Sequence, residues 1–305
     1  MSWRTKANRD WLAGLPEVVP GHPLARHTSF NIGGPAEFFV EIGRTELLQE
    51  IVEECGRRGI PRLLLGAGTN LLVADAGVEG LVIRCATREH RVTGNRVSAA
   101  AGLKMLRLAR ICADADLTGF EWAIGVPGTV GGAVYQDAGC WGVEMREVLV
   151  EARGYVPGQG PVSWDLAQLQ LGYRTSALRE GRLHGCLVTS AVIELRPGDG
   201  ARSRAQMAAW TEQRTRTQPI KTKNCGSVFK NPAGDSAGRL VEAAGLKGAR
   251  QGAAQVSEQH ANFIINTGGA TAADVAALIE RIQTAVRERF GIELETEVEM
   301  VGRWG

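Results

Sequence analysis

Gly66-Ala67-Gly68-Thr69-Asn70-Leu71 and Gly125-Val126-Pro127-Gly128-Thr129-Val130-Gly131-Gly132-Ala133 are the two stretches on which the reading of this chain turns. Both are glycine loops whose backbone N–H groups can wrap the pyrophosphate of a dinucleotide. Each directly follows a predicted strand, residues 61–65 for the first and Trp122-Ala123-Ile124 for the second. Thr69, Asn70 and Thr129 add side-chain hydrogen-bonding groups where phosphate or ribose oxygens would sit. Tight turns in a glycine-rich chain account for either loop alone; the pair together favours a ligand cradle. Neither has the G-x-G-x-x-G of a Rossmann fold or the G-x-x-x-x-G-K-[ST] of a P-loop. That leaves other dinucleotide binders, and a flavoenzyme leads them.

Working outward, the 305 residues are enough for two or three domains. A net charge of +2 gives no global field for nucleic acid or an anionic membrane, so neither is expected as a partner. Cys55, Cys85, Cys112, Cys140, Cys186 and Cys225 are scattered without a C-x-x-C pair, which reads as reduced thiols rather than a metal site or disulfide framework. Residues 1–14 carry charges throughout and no apolar core of a secretory signal. No stretch approaches the ~20 apolar residues of a membrane span. The expectation is a cytoplasmic protein with no metal.

Residues 36–42 read as a strand. A helix opens at Thr45, sets Leu47, Leu48, Ile51, Val52 and Cys55 on one face, and stops at Gly59. Residues 80–85 and 97–101 read as strands and 103–115 as a helix. Leu187, Thr189, Ala191, Ile193 and Leu195 alternate along a strand ending in Pro197-Gly198-Asp199-Gly200, a turn-rich tetrad that marks a domain boundary. Beyond it, 205–215 and 239–244 read as helices and 262–266 as a strand. Thr271 and Asp274 have the spacing of a capping box. The helix they open carries Val275, Leu278, Ile279, Ile282 and Val286 inward and ends at Gly291. In a last predicted strand, 294–301, Leu294, Thr296, Val298 and Met300 alternate against Glu295, Glu297 and Glu299. Helix and strand are mixed, as in α+β or α/β folds.

Cys225-Gly226-Ser227-Val228-Phe229-Lys230-Asn231-Pro232 places a hydroxyl, an ammonium and an amide within five residues, as a polar active-site strand would. Locally, a surface turn after a strand explains Lys230-Asn231-Pro232 better. Arg214, Arg216, Lys221, Lys223 and Lys230 fall close together; they fit a diphosphate clamp and, equally, a solvated basic face. The three glutamates of the last strand read most simply as a solvent-facing edge. His260, followed by an apolar strand, reads as a satisfied structural histidine.

Further landmarks are His27-Thr28-Ser29-Phe30-Asn31-Ile32-Gly33-Gly34-Pro35-Ala36, Gly172-Tyr173-Arg174-Thr175-Ser176, residues 237–248, His260-Ala261-Asn262-Phe263-Ile264 and Leu294-Glu295-Thr296-Glu297-Val298. With the glycine loops and residues 225–232, and in this order, they resemble the UDP-N-acetylenolpyruvoylglucosamine reductases, the MurB family of bacterial cell-wall synthesis, in its shorter type II form. The likeness runs from about His27 to Gly302.

The resemblance implies an α+β protein. Two subdomains of the vanillyl-alcohol-oxidase (PCMH-like) FAD-binding type, 1–85 and 86–198, would hold the flavin, and a C-terminal domain, 199–305, the substrate. It also implies the reaction: NADPH reduces FAD, and the reduced flavin passes hydride to the enolpyruvyl β-carbon of UDP-GlcNAc-enolpyruvate. The charge left at the α-carbon spreads into the carboxylate until a proton arrives. By the same resemblance, Arg174 and a proton-bearing Glu297 stabilise that enolate-like species. Ser227 donates the proton, and Tyr173, Arg216, Lys230, Asn231 and His260 contact the substrate. FAD is expected to be non-covalent, since Cys140 is the one His or Cys adjoining a glycine loop. Another oxidoreductase of the same superfamily and a non-catalytic nucleotide-binding protein are the alternatives. The chain departs from the family pattern at Asn31, where Arg or Lys is usual, at Asp137, where Asn is usual, and at Thr217, where Lys is usual. Asp137 is therefore expected to influence the flavin pyrophosphate through its charge.

Overall fold

Val78–Cys85 and Leu187–Glu194 are eight-residue strands with few polar positions, and each becomes an inner strand of a sheet. Neighbours on both edges satisfy the backbone groups of such inner strands, which leaves the burial of their side chains to the layers packed on each face. The computed structural model describes residues 3–305; Met1 and Ser2, at the head of the charged N-terminal stretch, lie outside the described residues. The chain forms two compact units. One comprises the chain up to Pro20 with Phe38–Ala67 and Gly80–Glu212; the other comprises Gly21–Glu37, Gly68–Glu79 and Gln213–Gly305.

In the first unit, Leu187–Glu194 is the centre of a five-stranded antiparallel sheet. Leu149–Val156 and then Gly160–Trp164 lie on one side, and Arg96–Ala100 and then His90–Thr93 on the other. The register sets Ala191 opposite both Ala152 and Ala99. A second sheet pairs Arg62–Leu65 in parallel with Val78–Cys85, which leads the chain from an apolar strand straight into the first glycine segment. The helices are α1 (Lys6–Ala13), α2 (Thr45–Arg58), α3 (Met105–Asp114), α4 (Val130–Tyr135) and α5 (Leu166–Leu169). Helix α2 follows its sequence pattern: Leu48, Ile51, Val52 and Cys55 are buried, and Gly59 closes it in the left-handed region at φ 63°.

Helix α6 (Gly200–Thr217) begins five residues earlier than the periodicity indicated. The tetrad before it is not a loose linker. Pro197 pairs with Leu117, and the amides of Gly198 and Gly200 donate to the Asp116 carbonyl (2.8 Å) and side chain (3.1 Å). The two compact units divide at Glu212, inside α6.

The second unit contains α7 (Ala237–Ala243), α8 (Ala272–Phe290) and a three-stranded antiparallel sheet of Arg250–Gln251, Ala254–Val256 and Ile264–Asn266. Helix α8 has the expected capping box: the Thr271 hydroxyl accepts from the Asp274 amide and the Asp274 carboxylate from the Thr271 amide. Its inward residues, Val275, Leu278, Ile279, Ile282 and Val286, are all buried, each contributing about 1.5–3 kcal/mol of burial relative to exposure.

The last predicted strand is mostly absent. Only Glu299–Val301 is a strand, paired in parallel with Leu71–Val73, and Thr296 makes an isolated bridge to Phe229. The alternation breaks at a bend at Val298, leaving Met300 42% exposed and Glu297 and Glu299 partly buried. The three glutamates are therefore not one solvent-facing edge; Glu295 alone is exposed.

Candidate flavin and active-site residues

Within the first unit, the two glycine segments meet. A Cβ on Gly66 would stand 2.6 Å from the Thr129 Oγ1, so the approach requires glycine there. Among the described residues, the backbone N–H groups of Gly66, Ala67, Gly128 and Thr129 donate to no acceptor. Partly buried amides without partners are uncommon and fit an oxyanion. This cradle fits a pyrophosphate, so the residues present fit FAD.

The second segment is built differently from the expectation. It follows a 3₁₀ turn, Glu121–Gly125, rather than a strand, and its later part is helix α4, N-capped by Thr129. The Val130 and Gly131 amides donate to the Leu103 (2.9 Å) and Ala101 (2.8 Å) carbonyls, and Ala133 donates to the Thr129 carbonyl (2.8 Å). Gly132 points to the Thr129 hydroxyl at 3.5 Å. Of the nine residues, then, Gly128 and Thr129 keep amides for a ligand, while Val130–Ala133 hold the loop in place. Gly125 has a steric reason: a Cβ there would overlap the Trp141 ring, which stacks on Trp210 at 4.5 Å.

Asp137 faces Arg146. Its carboxylate is fully buried and accepts from the Arg146 amide (2.9 Å) and guanidinium (2.5 Å). Burial pushes its carboxyl up against the pull of Arg146, and the Glu144 carboxylate pushes the same way. Its φ of 47° is one that Asp tolerates, as Asn would. Asn31, the second departure, likewise sits at φ 54° and is exposed, so backbone conformation explains the residue type.

Arg174 occupies the third position of a tight turn closed by Gly172 and Thr175 through 3.1 and 2.9 Å hydrogen bonds. Its φ of 55° costs an arginine roughly 1–2 kcal/mol, strain of the kind that clusters at functional positions. The turn is held by Arg179, which donates to the Arg174 carbonyl at 2.7 Å. The Arg174 guanidinium donates to the carbonyls of Asp137 (3.2 Å) and Gly139 (2.9 Å) and lies over the exposed Tyr173 ring.

Within the second unit, residues 225–232 are not a strand but an extended segment pinned from several sides. The sequence reading missed its main anchor, Asn262. The Asn262 side chain, 3% exposed, accepts from the Phe229 amide and donates to the Phe229 carbonyl, both at 2.9 Å, while its own carbonyl accepts from Val228. A lone amide in an apolar run was the only local sign of it. The Val228 carbonyl accepts from the amides of Glu297 (2.8 Å) and Val298 (3.3 Å), so the Ser227 and Glu297 segments are adjacent. Ser227 is partly exposed, and its hydroxyl has no partner among the described residues.

Asn70 is placed differently from the expectation of a ribose or phosphate contact: its side chain donates to the Glu297 carbonyl at 3.0 Å. Nor is Lys230 part of a plain surface turn. Its ammonium, 16% exposed, pairs with Glu295 at 2.8 Å. Asn231 accepts from the Ala237 amide at the head of α7. His260 is half-buried, accepts from the Asn262 amide at Nδ1 and packs edge-on against Phe263; burial lowers its pKa below 6.5. Burial, with Glu297 nearby, pushes the Cys225 thiol well up. Arg216 is exposed and its carbonyl receives Gln259, while the Thr217 hydroxyl bonds back to Gln213 within α6. None of the six cysteines is joined in a disulfide among the described residues. Among the described residues there is no metal-binding cluster and no helix long and apolar enough to cross a membrane.

The α+β fold and the amide cradle define the class: a nucleotide-binding protein of the FAD type. Residues 36–158 match the FAD binding domain family, and residues 218–301 match the UDP-N-acetylenolpyruvoylglucosamine reductase C-terminal domain. A reductase of that name from Bacillus velezensis is 40% identical over 94% of each chain, and one from Synechococcus sp. is 45% identical over 93% of this chain and 91% of its own. The crystal structure of UDP-N-acetylenolpyruvylglucosamine reductase (MurB) from Thermus caldophilus superposes with a TM-score of 0.78 at 35% identity, covering 93% of this chain and 98% of that one. The chain belongs to the UDP-N-acetylenolpyruvoylglucosamine reductase family.

Proposed function

We propose that this protein reduces UDP-N-acetylglucosamine enolpyruvate to UDP-N-acetylmuramate with NADPH, in the cytoplasm, supplying peptidoglycan precursor for cell shape and division. FAD, when bound, supplies hydride transfer from NADPH to the enolpyruvyl β-carbon. In this reading the amides of Gly66, Ala67, Gly128 and Thr129 bind its pyrophosphate, with residues 1–85 and 86–198 as its two subdomains and 199–305 as the substrate domain. Arg174 receives the substrate carboxylate and stabilises charge spreading into it, and Glu297 shares that task. Ser227 gives its hydroxyl proton to the α-carbon. Serine is a weak acid in water, but a carbanionic carbon beside it is a strong base. Tyr173, Arg216, Lys230, Asn231 and His260 contact the nucleotide sugar.

The observation that carries the reading is the Ser227 hydroxyl. It is open and unpartnered among the described residues, on a segment joined by backbone hydrogen bonds to that of Glu297. Rapid mixing followed by flavin absorbance tests it. Ser227→Ala should be reduced by NADPH at a near-normal rate, and its reoxidation by UDP-GlcNAc-enolpyruvate should fall roughly 10²–10⁴-fold. A normal second half-reaction removes Ser227 as the acid.

A further inference from the structure

Glu297 is held through both of its backbone groups, and one of the two holds comes from the first glycine segment. Its amide donates to the Val228 carbonyl at 2.8 Å, and its carbonyl accepts from the Asn70 side chain at 3.0 Å. The Asn70 carbonyl in turn accepts from the Glu299 amide at 3.0 Å, so one residue grips the chain on both sides of Val298, itself 2% exposed. The strand pairing shows why a side chain does this. Glu299–Val301 runs parallel to Leu71–Val73, and the pairing begins with Glu299 opposite Leu71. Continued by one step, a regular parallel ladder would carry a backbone amide to the Glu297 carbonyl. The bend at Val298 interrupts it there, and the Asn70 carboxamide takes over as donor. Asn70 has a firm base for the task. The Ser29 amide donates to the Gly68 carbonyl at 3.0 Å, and a Cβ on Gly68 would overlap the His27 carbonyl, so the segment lies close against residues 27–29.

We propose that Asn70 is a positioning residue for Glu297: its carboxamide fixes the backbone from which the Glu297 carboxylate meets the substrate, while the Val228 bond ties the same residue to the Ser227 segment. The proposal rests on the reading of Glu297 as a group that stabilises charge spreading into the substrate's carboxylate. It gives the Asn70 side chain a task in the reductive step rather than in flavin binding. Alanine at this position leaves the Glu297 carbonyl without the bond, and aspartate sets a carboxylate against it.

The test follows the two half-reactions of the flavin-loaded enzyme by rapid mixing. Asn70→Ala should retain flavin and be reduced by NADPH at close to the native rate. Its reoxidation by UDP-GlcNAc-enolpyruvate should fall on the order of tenfold to a hundredfold, the upper figure being the cost of a displacement near 1 Å at a reacting group. Added to Glu297→Gln, the same change should cost little more, because residues that act through one group do not multiply their losses. A full second loss in that double variant is what a general loosening of the fold predicts, and it overturns the proposal. Asn70→Asp, of the same size, should repeat the pattern of Asn70→Ala. If Asn70→Ala does not retain flavin, Asn70→Asp decides, and a native rate of reoxidation there overturns the proposal. Loss of flavin from both variants makes Asn70 a flavin ligand and overturns it as well. Glu297→Gln separates the two levels. A normal second half-reaction in Glu297→Gln rejects the reading of Glu297 and the proposal with it, whereas impairment there beside a native rate in Asn70→Ala rejects the proposal alone.

Discussion

Replacing Asn262 by alanine should damage both stability and turnover, although Asn262 is expected to touch no ligand. In the native chain its side-chain amide satisfies both backbone groups of Phe229, donor and acceptor, each at 2.9 Å. Phe229 is 1% exposed and Asn262 3%, so water does not readily replace either bond. Leaving a buried backbone group unpaired costs about 1–3 kcal/mol. Two such groups give about 2–6 kcal/mol, which is a large fraction of the roughly 5–15 kcal/mol that stabilises an ordinary domain. The same loss slackens the segment two residues from Ser227, and a displacement near 1 Å at a reacting group costs on the order of a hundredfold in rate. Urea unfolding of the holoenzyme gives the first quantity and steady-state product formation the second. Asn262→Asp is the informative companion: it keeps the acceptor for the Phe229 amide but sets a carboxylate against the Phe229 carbonyl, so it should be no milder than alanine. A loss below about 1 kcal/mol with unaltered turnover would refute the argument, since the Phe229 groups would then have found other partners.

Of the three neighbouring glutamates, Glu297→Gln should depress product formation while Glu295→Gln and Glu299→Gln should not; equal losses at all three count against the assignment. Asp137→Asn should leave FAD affinity unchanged, because its carboxylate binds Arg146; clearly tighter flavin binding, read by equilibrium dialysis, would place it beside phosphate after all. His260 gives a pH signature. Its pKa in the folded chain lies below 6.5, so the unfolded chain takes up the proton first on acidification. Its contribution to stability is present above pH 6.5 and is lost as pH falls toward the folded value. His260→Gln should show a smaller fall in unfolding free energy between pH 7.5 and pH 5 than the native chain, and an equal fall would reject burial as the cause.

Most of the regular structure was legible because its signals are local. Helices α2 and α8 carry their apolar stripes, and glycines end both. What the sequence hid depends on partners distant along the chain. Val130-Gly131-Gly132 has poor intrinsic helix propensity, yet it is helical because the Ala101 and Leu103 carbonyls receive its first amides. The alternation of residues 294–301 mimics a strand. The amides of both Glu297 and Val298 turn to the single Val228 carbonyl, and the bend this imposes changes which side chains face inward. The candidate site was legible as a set of motifs, and resemblance rather than periodicity singled out Glu297. Its support was not legible: nothing near Asn262 in sequence announces that Phe229, 33 residues earlier, is its partner.

These hidden supports share a logic. An acid that protonates a carbanion does not need a low pKa, since its partner is a strong enough base; it needs to be in the right place. Around Ser227 the chain fixes position and leaves the hydroxyl alone. Gly226 donates to the Asn224 side chain at 2.8 Å, Val228 is bonded through both its amide and its carbonyl, and Phe229 is held by Asn262. Every one of these bonds engages the backbone of the segment rather than the Ser227 side chain, so the hydroxyl is left open. A side-chain partner on Ser227 would hold it more tightly still, but would also compete for the proton it is proposed to give. Backbone anchoring on both sides, with an open hydroxyl between, reconciles precise placement with a transferable proton.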